Sequence, residues 1–350
     1  MNFSIKNQIL EKYIGNEENV VIPVGVKVIG ERAFSQCRNL SKIVIPDSVT
    51  QICECAFEFC SSLSEIELPD GIEELEKGVF WGCHSLSSVK LPKNLKRIGE
   101  FCFYYCNSLE EIDIPQNVVQ IEKEAFFRCK ALKAVQIPEG IECLGKYCFA
   151  ECEKLKQVSL PSCLREIGEE AFSGCKSLLS INLPDTVLSL GEACFKDCKK
   201  IKSIRIPSKV SVLPSLLFYG CTKLQEIEFS ESGVIIEGGV FAKTAFEKEN
   251  EFLIISGKLL SYIGGEQEVT VPDGVTVIGK SAFAGCKKIE KITLPDSIER
   301  VEKNAFAYCK NLKSVILPKG LSEISYGCFY GCPNLTEIDI PEGVKWSNSL

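Results

Sequence analysis

The sequence predicts a repeat solenoid, a fold in which short repeats of equal length stack on one another along the chain. Proline recurs every 23 residues from Pro23 to Pro207, and the series resumes from Pro272 to Pro341. Phenylalanine stands eleven residues after each of these prolines except the last, and cysteine stands a further three residues on. Repeats of this length cannot close a core alone, so stacked copies must bury a continuous one.

One repeat reads L-x-x-I-x-I-P-x-x-V-x-x-I-x-x-x-A-F-x-x-C, as it does from Leu40 to Cys60. The I-x-I pair has a period of two, which predicts a short strand with both side chains on one face. Pro46 ends that strand because proline has no N–H to donate. The V-x-x-I segment predicts a second apolar wall. The A-F-x-x-C segment predicts one helical or 3₁₀ turn with the phenylalanine inside.

This pattern resembles the BspA-like subfamily of leucine-rich repeats over about residues 20–345. The resemblance implies a right-handed superhelix with a parallel β-sheet of I-x-I strands on one face and short strands or 3₁₀ turns on the other. Members of that family are mostly bacterial or protozoan, are often found at the cell surface, and are implicated in adhesion and protein binding.

The period breaks once, between Pro207 and Pro272, where Ser230 takes a proline position and Thr244 a cysteine position. Residues 252–278 then repeat the pattern of residues 3–29, so the array starts twice with one opening module. We interpret this module as a hairpin-like pair of strands around Tyr-Ile-Gly. The predicted organisation is a start module (1–22), a first array (23–229), an irregular splice with a second start module (230–271), and a second array with the C-terminal end (272–350). Because no flexible linker separates the halves, we expect one continuous superhelix with a kink.

Composition bears on partners and location. The 40 basic and 47 acidic residues give a net charge of −7 without a long run of either sign, which argues against a nucleic-acid partner. No segment approaches the roughly 18–20 apolar residues of a spanning helix, so no membrane insertion is expected. The amino terminus as written lacks the pattern of a signal peptide. The sequence therefore favours a cytoplasmic protein with reduced cysteines, and cell-surface or secreted location is the alternative that the family resemblance suggests.

The residues that carry chemistry form no catalytic, cofactor or metal site. The recurring cysteines have repeat spacing rather than metal-ligand spacing, and we expect buried free thiols. His84 is the one histidine, next to Cys83, and is expected to lie in a solvated turn. Gly264-Gly265 lacks a phosphate-loop context and is interpreted as a hairpin turn. Four cysteines fall outside the recurring positions and are expected to be more exposed: Cys53, Cys55, Cys143 and Cys163.

Two sets of variable residues are candidate binding sites. The first lies on the turns, beside the ladder phenylalanines, and comprises Phe59, Trp81, Tyr104, Tyr105 and Phe127. Large aromatics there predict an exposed patch, with stacking between repeats as the alternative. The second lies on the outward face of the strands, where a solvated sheet is the alternative, and comprises Glu67, Lys90, Asp113 and Arg205. Glu67, Lys90 and Asp113 alternate in sign on neighbouring strands, so they should pair.

The sequence thus predicts a non-catalytic protein-interaction or scaffolding module whose partners are proteins. The alternative is a secreted or surface adhesin that binds a host or matrix protein or glycan. An enzyme is not expected, because a periodic apolar coil offers no polar pocket. The last repeat has no evident polar cap, so either Trp346 covers it or its open edge allows end-to-end self-association.

Overall fold

The computed structural model describes residues 2–229, 235–249, 251–255, 257–262 and 264–347. The chain divides into two compact units, Met1–Thr244 and Ala245–Leu350, and the boundary falls inside the 230–271 interval. Ser230 and Ile263, which the sequence placed in the splice, lie outside the described residues. The continuity of the two arrays stays a prediction. Within each unit, every repeat forms one coil, which we call a rung.

A strand precedes the proline of most rungs, and neighbouring strands pair in parallel at an offset of 23 residues, as Lys42 does with Glu65. The outer residues of the I-x-I motif are buried and the middle residue is exposed, so the predicted strand is confirmed. In the first unit these pre-proline strands are β3 (Asn19–Val21), β5 (Lys42–Val44), β7 (Glu65–Glu67), β9 (Ser88–Lys90), β12 (Ala134–Gln136), β14 (Gln157–Ser159), β17 (Ser203–Ile206) and β19 (Glu226–Phe229). In the second unit they are β23 (Glu268–Thr270), β25 (Lys291–Thr293), β27 (Ser314–Ile316) and β29 (Glu337–Ile338).

A second parallel ladder runs along the V-x-x-I segments and forms the opposite wall of the coil. Each strand has two or three residues, and in most of them the apolar member points inward. In the first unit these post-proline strands are β4 (Val28–Ile29), β6 (Gln51–Ile52), β8 (Glu74–Leu75), β10 (Arg97–Ile98), β11 (Gln120–Ile121), β13 (Cys143–Leu144), β15 (Glu166–Ile167), β16 (Ser189–Leu190), β18 (Val212–Leu213) and β20 (Ile235–Ile236). In the second unit they are β24 (Val277–Ile278), β26 (Arg300–Val301), β28 (Glu323–Ser325) and β30 (Lys345–Ser347).

Each unit also contains an antiparallel hairpin with the sequence of the start module. In the first unit β1 (Phe3–Lys6) pairs with β2 (Ile9–Tyr13), and β2 pairs in parallel with β4. In the second unit β21 (Phe252–Ile255) pairs with β22 (Lys258–Tyr262), after the short helix α1 (Ala245–Glu249).

The hairpin was predicted correctly, but its turn was not. Asn7 and Gln8 form the turn in the first unit, with φ of 50° and 66°, and two left-handed residues give the twist that a two-residue hairpin needs. In the second unit Ile255 and Lys258 pair at the equivalent ends of the two hairpin strands. Gly264-Gly265 follows β22 instead of joining two hairpin strands, so its interpretation as a hairpin turn is wrong.

The A-F-x-x-C segment forms the third side of each rung. It contains the i→i−3 hydrogen bonds expected of a 3₁₀ turn, such as that from Cys60 N to Phe57 O at 3.1 Å. The residues two before and two after the phenylalanine have positive φ, as in Cys55 (55°) and Phe59 (54°). Their N–H groups donate to the next rung, and Phe59 N lies 2.7 Å from Trp81 O. These inter-rung bonds offset a left-handed conformation that costs about 1–2 kcal/mol per non-glycine residue.

The core is a column of stacked phenylalanine rings that runs through the middle of each unit. In the first unit the column extends from Phe34 to Phe241, with neighbouring centroids 5.1–6.1 Å apart. Tyr13 takes the phenylalanine position in the start module and stacks on Phe34 at 5.2 Å. Tyr262 lies at the same distance from Phe283 in the second unit. The start modules therefore cover one end of each aromatic column.

The recurring cysteines are free thiols that contact the same column. Each typical thiol donates to the carbonyl of the phenylalanine 26 residues earlier, as Cys106 does to Phe80 O at 3.2 Å. Burial raises the pKa of such a thiol, Cys106 among them. The interpretation of buried, hydrogen-bonded thiols is confirmed for these positions.

The four cysteines outside the recurring positions do not share one environment. Cys143 is exposed, and Cys53 and Cys163 are partly buried. Cys55 is buried, so its predicted exposure is wrong, because its left-handed conformation directs the side chain against the next rung, toward Gly78.

Candidate interaction surfaces

The five predicted turn aromatics lie together on four consecutive rungs of the first unit. Phe59 is 36 % exposed, whereas Trp81, Tyr104, Tyr105 and Phe127 are partly buried. The predicted exposed patch is therefore present only in part, because stacking between repeats, the predicted alternative, covers most of these rings. Phe59 and Tyr105 have positive φ, and their rings contact Trp81 and Tyr104.

Ring contacts connect the set from rung to rung. Trp81 lies 6.0 Å from Phe59 and meets Tyr104 edge-on at 5.5 Å between centroids. Tyr104 in turn stacks on Phe127 at 4.9 Å and contacts Tyr105 at 4.7 Å. Such pairs contribute about 0.5–1.5 kcal/mol each beyond the area they bury. The same residues thus stabilise the turns and form a continuous aromatic surface.

Phe101 belongs to this surface and was missed by the sequence analysis. Its ring lies 5.7 Å from Trp81 and 5.5 Å from Tyr104. The ammonium groups of Lys77 and Lys123 each lie 5.6 Å from its centroid, within cation–π range. The signal was an aromatic residue two positions before a ladder phenylalanine, on the same turn. We call the six residues Phe59, Trp81, Phe101, Tyr104, Tyr105 and Phe127 the aromatic cluster.

Polar groups close one side of the aromatic cluster. Arg128 Nη1 donates to the Tyr105 hydroxyl at 2.7 Å, and the guanidinium carbon lies 5.0 Å from the ring centroid. His84 Nδ1 lies 3.0 Å from Tyr105 O and 3.3 Å from the side-chain amide nitrogen of Asn107. Among the described residues, the buried atoms Arg128 Nε and Asn107 Oδ1 have no hydrogen-bond partner. This rim places an arginine and an amide beside the rings of the aromatic cluster.

His84 and Cys83 do not form a catalytic pair. Cys83 is fully buried and its thiol donates to Phe57 O at 3.1 Å, whereas His84 is exposed on the turn. Burial also raises the pKa of the Cys83 thiol, which disfavours the nucleophilic thiolate.

The second predicted set lies on the pre-proline strands. Lys90 forms an ion pair with Glu67, as the alternating charges predicted. Asp113 does not continue the series, because residues 111–113 form no strand and no ion pair joins it to Lys90 among the described residues. That part of the prediction is wrong. Arg205 forms ion pairs with Asp185 at 2.6 Å and with Glu228, its neighbour on the adjacent strand, at 3.9 Å.

Shallow grooves follow this strand face. One has a volume of about 630 Å³ and includes Lys42, Val44, Glu67 and Lys90. A groove of about 730 Å³ lies beside it and reaches Asp113. The Lys90–Glu67 ion pair is solvent-exposed, with the two side chains 66 % and 70 % accessible, so it adds little to stability.

The second unit also carries aromatic side chains on its turns. Tyr308 and Tyr330 are 55 % and 63 % exposed and meet edge-on at 5.3 Å. Trp346 contacts Tyr326 at 5.7 Å and remains 44 % exposed, so it does not fully cover the final rung.

The part of the chain that the structure describes contains no cluster of three or more His, Cys, Asp or Glu side chains arranged to hold a metal ion. It also contains no helix with the length and apolar character needed to span a membrane.

The repeat and its packing agree with a known family. The model of the BspA type leucine-rich repeat region, in six copies, matches residues 27–156, 142–252 and 254–349. The chain belongs to the BspA-type leucine-rich-repeat family. Leucine-rich-repeat domains are generally protein-interaction modules and are typically non-catalytic. No curated protein matches the sequence.

Several solved leucine-rich-repeat structures are similar to this BspA-type protein. One from Bacteroides ovatus ATCC 8483 is 30 % identical, covers 99 % of this chain and 88 % of that one, and has a TM-score of 0.69. A T. pallidum leucine-rich-repeat protein is 31 % identical over 50 % of this chain and 86 % of its own, with a TM-score of 0.47. A leucine-rich cell surface protein from Faecalibacterium prausnitzii A2-165 is 26 % identical over 98 % and 81 %, with a TM-score of 0.41.

Proposed function

We propose that the chain is a non-catalytic protein-interaction module and that the aromatic cluster is its main binding surface. One observation carries this proposal: six aromatic side chains form a continuous, partly exposed surface on four successive rungs. Aromatic residues and arginine are enriched among the residues that dominate binding energy at protein interfaces. The two rungs that follow the cluster hold Ala150 and Ser173 in the position of Tyr104.

The chemistry of the cluster favours a protein partner that presents both apolar and acidic groups. The rings supply apolar contact area to a partner. Binding costs little side-chain entropy, because the rings already pack against one another. Lys77, Lys123 and Arg128 place positive charge beside the rings. A partner carboxylate that reaches Arg128 while an apolar side chain contacts Trp81 would use both features.

Single substitutions of Trp81→Ala and Tyr104→Ala test the proposal. We expect the circular dichroism spectrum of each variant to show that it remains folded. Each variant should capture at least tenfold less partner from the native lysate than the unaltered protein, as measured by quantitative mass spectrometry. The matched control is Tyr219→Ala, which removes a tyrosine from the same turn position outside the cluster. Its captured partner should equal that of the unaltered protein.

The strand face is the competing surface. If charge reversal by Lys90→Glu and Arg205→Glu abolishes capture while Trp81→Ala does not, the aromatic cluster is not the binding surface. Glu67 and Asp113 would then belong to the interface, with the grooves beside them.

We further propose that the protein acts in a reducing compartment. All twenty cysteines are free, and the repeat brings successive thiols to adjacent rungs, where an oxidising environment would cross-link them. Cell fractionation with thiol alkylation at lysis tests this. A surface fraction with oxidised cysteines would favour the adhesin function instead.

A further inference from the structure

The segment that follows each recurring cysteine changes its charge along the first unit. Its variable side chains stand one, two and four residues after the cysteine, on either side of a recurring leucine or isoleucine. In the rungs of Cys37, Cys60, Cys83 and Cys106 these positions hold mostly serine and asparagine. In the next five rungs nine of the fifteen positions hold lysine, and Glu153 is the one acidic residue among them. We call these nine residues the lysine ridge: Lys130, Lys133, Lys154, Lys156, Lys176, Lys199, Lys200, Lys202 and Lys223.

The repeat brings these lysines to one side of the stack, although they are spread over a long stretch of sequence. Backbone hydrogen bonds hold the segments in register, since Lys156 N donates to Lys133 O at 2.8 Å and Leu179 N donates to Lys156 O at 3.2 Å. Five rungs at about 4.8 Å per step give a ridge about 19 Å long. Three residues of chain make it at most about 10 Å wide. Seven of the nine side chains are exposed, and Lys130 and Lys176 are partly buried.

Most lysines of the ridge lack an acidic partner within the protein. Elsewhere in the unit a lysine commonly pairs with an acidic residue 23 positions away on a neighbouring rung, as Lys96 does with Glu73 at 2.6 Å. Within the ridge, Lys130, Lys133 and Lys176 form such inter-rung ion pairs. The other six form no ion pair among the described residues: Lys154, Lys156, Lys199, Lys200, Lys202 and Lys223.

Like charges also face each other between the rungs of the ridge. Positions 23 residues apart are neighbours in the stack, and lysine occupies both members of three such pairs, at 133 and 156, at 176 and 199, and at 200 and 223. Like charges directly opposite one another on neighbouring strands are destabilising. Because the protein places few carboxylates here, an extended anionic ligand that lies along the ridge would relieve this repulsion.

We propose that the lysine ridge is a docking surface for an acidic protein segment, an extended stretch of aspartate or glutamate residues that lies along the stack. An extended chain rises about 3.3 Å per residue, so about six residues match the length of the ridge. Lysine ammonium groups on flexible stems can reach carboxylates at varied positions along such a segment. The ridge is a different surface from the aromatic cluster, and this inference does not rest on the function proposed for that cluster.

The composition and width of the ridge favour a protein segment over nucleic acid. Sites for single-stranded nucleic acid combine basic side chains with aromatic side chains on which the bases stack. The fifteen positions that contain the ridge hold no aromatic residue. The major groove of a duplex alone is about 12 Å wide, so a duplex would extend beyond the ridge. Acidic residues border the ridge there, since Asp197 directly precedes Cys198 and Glu226 directly follows Gln225.

The test measures binding of a fluorescein-labelled peptide of about eight glutamates, slightly longer than the ridge, to the full chain by fluorescence anisotropy. The triple variant Lys156→Gln/Lys200→Gln/Lys202→Gln removes three exposed charges of the ridge that have no ion pair among the described residues. We expect its dissociation constant for the peptide to rise at least tenfold at low salt. Added salt should weaken binding to the unaltered protein, because it screens exposed charges.

The matched control is Lys27→Gln/Lys280→Gln/Lys303→Gln, which changes the net charge by the same amount at exposed lysines outside the ridge. Its dissociation constant should stay within about twofold of that of the unaltered protein. An equal loss of binding in both triple variants would overturn the proposal, because net charge alone would then govern binding. So would the absence of peptide binding to protein whose circular dichroism spectrum shows that it is folded. Tighter binding of a single-stranded RNA with the same number of negative charges would assign the ridge to nucleic acid instead.

Discussion

The rings of Phe126 and Phe149 stack with centroids 5.1 Å apart and planes 3° from parallel. Both side chains are fully buried, and each has another ladder phenylalanine on its far side. Each rung thus contributes one ring to a stack along a common axis, and a ring in the middle of the column contacts two others. Stability should depend strongly on such a position.

Phe126→Ala should lower the free energy of unfolding by about 3–5 kcal/mol, because it removes a buried ring and leaves a cavity between two neighbours. Chemical denaturation followed by circular dichroism measures this loss. The control is Val119→Ala in the same rung, where the side chain is 61 % exposed and a change within about 0.5 kcal/mol is expected. Equal losses in the two variants would show that the column is not the main source of stability.

Gly82→Ala should be more damaging than Gly285→Ala, although both glycines have φ of 73°. A Cβ at Gly82 would lie 2.4 Å from the Phe59 ring, whereas the same atom at Gly285 meets no atom within 4 Å. Both variants carry the strain of a left-handed alanine, about 1–2 kcal/mol. Only Gly82→Ala must also move Phe59, which contacts Trp81, so its tryptophan fluorescence should change. Identical stability and spectra would contradict the clash.

Thiol reactivity in the native protein should follow burial. Cys143 is the one exposed cysteine, so it should react first with an aromatic disulfide reagent. A slower group should follow, and the fourteen buried thiols should react only on unfolding. Cys143→Ser should remove the fast phase of the reaction. The rate is measured from the absorbance of the coloured thiolate that the reagent releases. Rapid reaction of many thiols would mean that the rungs open readily. The slower group comprises the five partly buried thiols Cys37, Cys53, Cys163, Cys286 and Cys332.

Tyr147 should ionise at a higher pH than most tyrosines. Its hydroxyl donates to Glu169 at 2.9 Å, and this bond together with burial raises the pKa of Tyr147 to about 12. Because the pKa of Tyr147 is higher in the folded state, the hydrogen bond contributes fully to folding stability at pH values below the ordinary tyrosine pKa near 10. That contribution is lost as the pH rises through about 12. A pH titration that follows tyrosinate absorbance in the ultraviolet should show one fewer tyrosine ionising near pH 12 in Tyr147→Phe than in the unaltered protein.

Glu169→Gln is the control for this titration. It removes the negative charge but leaves the burial of Tyr147, so the pKa of Tyr147 should fall toward 10 without reaching the value of an exposed tyrosine. An unchanged late phase in both variants would assign it to another residue, such as Tyr262, whose pKa burial also raises to about 12.

Much of the fold could be predicted because proline, phenylalanine and cysteine mark the same points of every rung. Ile43 and Ile45 gave the strand and its buried face, and the constant period gave the parallel neighbours. The left-handed residues could not be predicted in this way. Those positions hold residues such as Cys55, Phe59 and Phe101, which have no intrinsic preference for positive φ and adopt it because inter-rung hydrogen bonds require it.

The candidate surface was predicted only in part for the same reason. The period showed that Trp81 and Tyr104 lie on adjacent rungs. It could not show that the left-handed residues Phe59, Phe101 and Tyr105 bring their rings against those two. Phe101 was missed because its position was assumed to be ordinary turn surface. Tyr-Ile-Gly suggested a hairpin turn, but Asn7 and Gln8 supply it, because two strands of matched length leave only those two residues between them.

The contacts between rungs all span nearly the same length of chain. Representative side-chain hydrogen bonds link residues 22, 23 or 26 positions apart, wherever in the array they occur. Adding a whole rung therefore introduces no longer loop to close, and the entropy of forming each contact is unchanged. Unequal recombination can lengthen or shorten such a gene by multiples of one repeat without disturbing the rest. Inserting a single residue in a strand would instead exchange its buried and exposed faces.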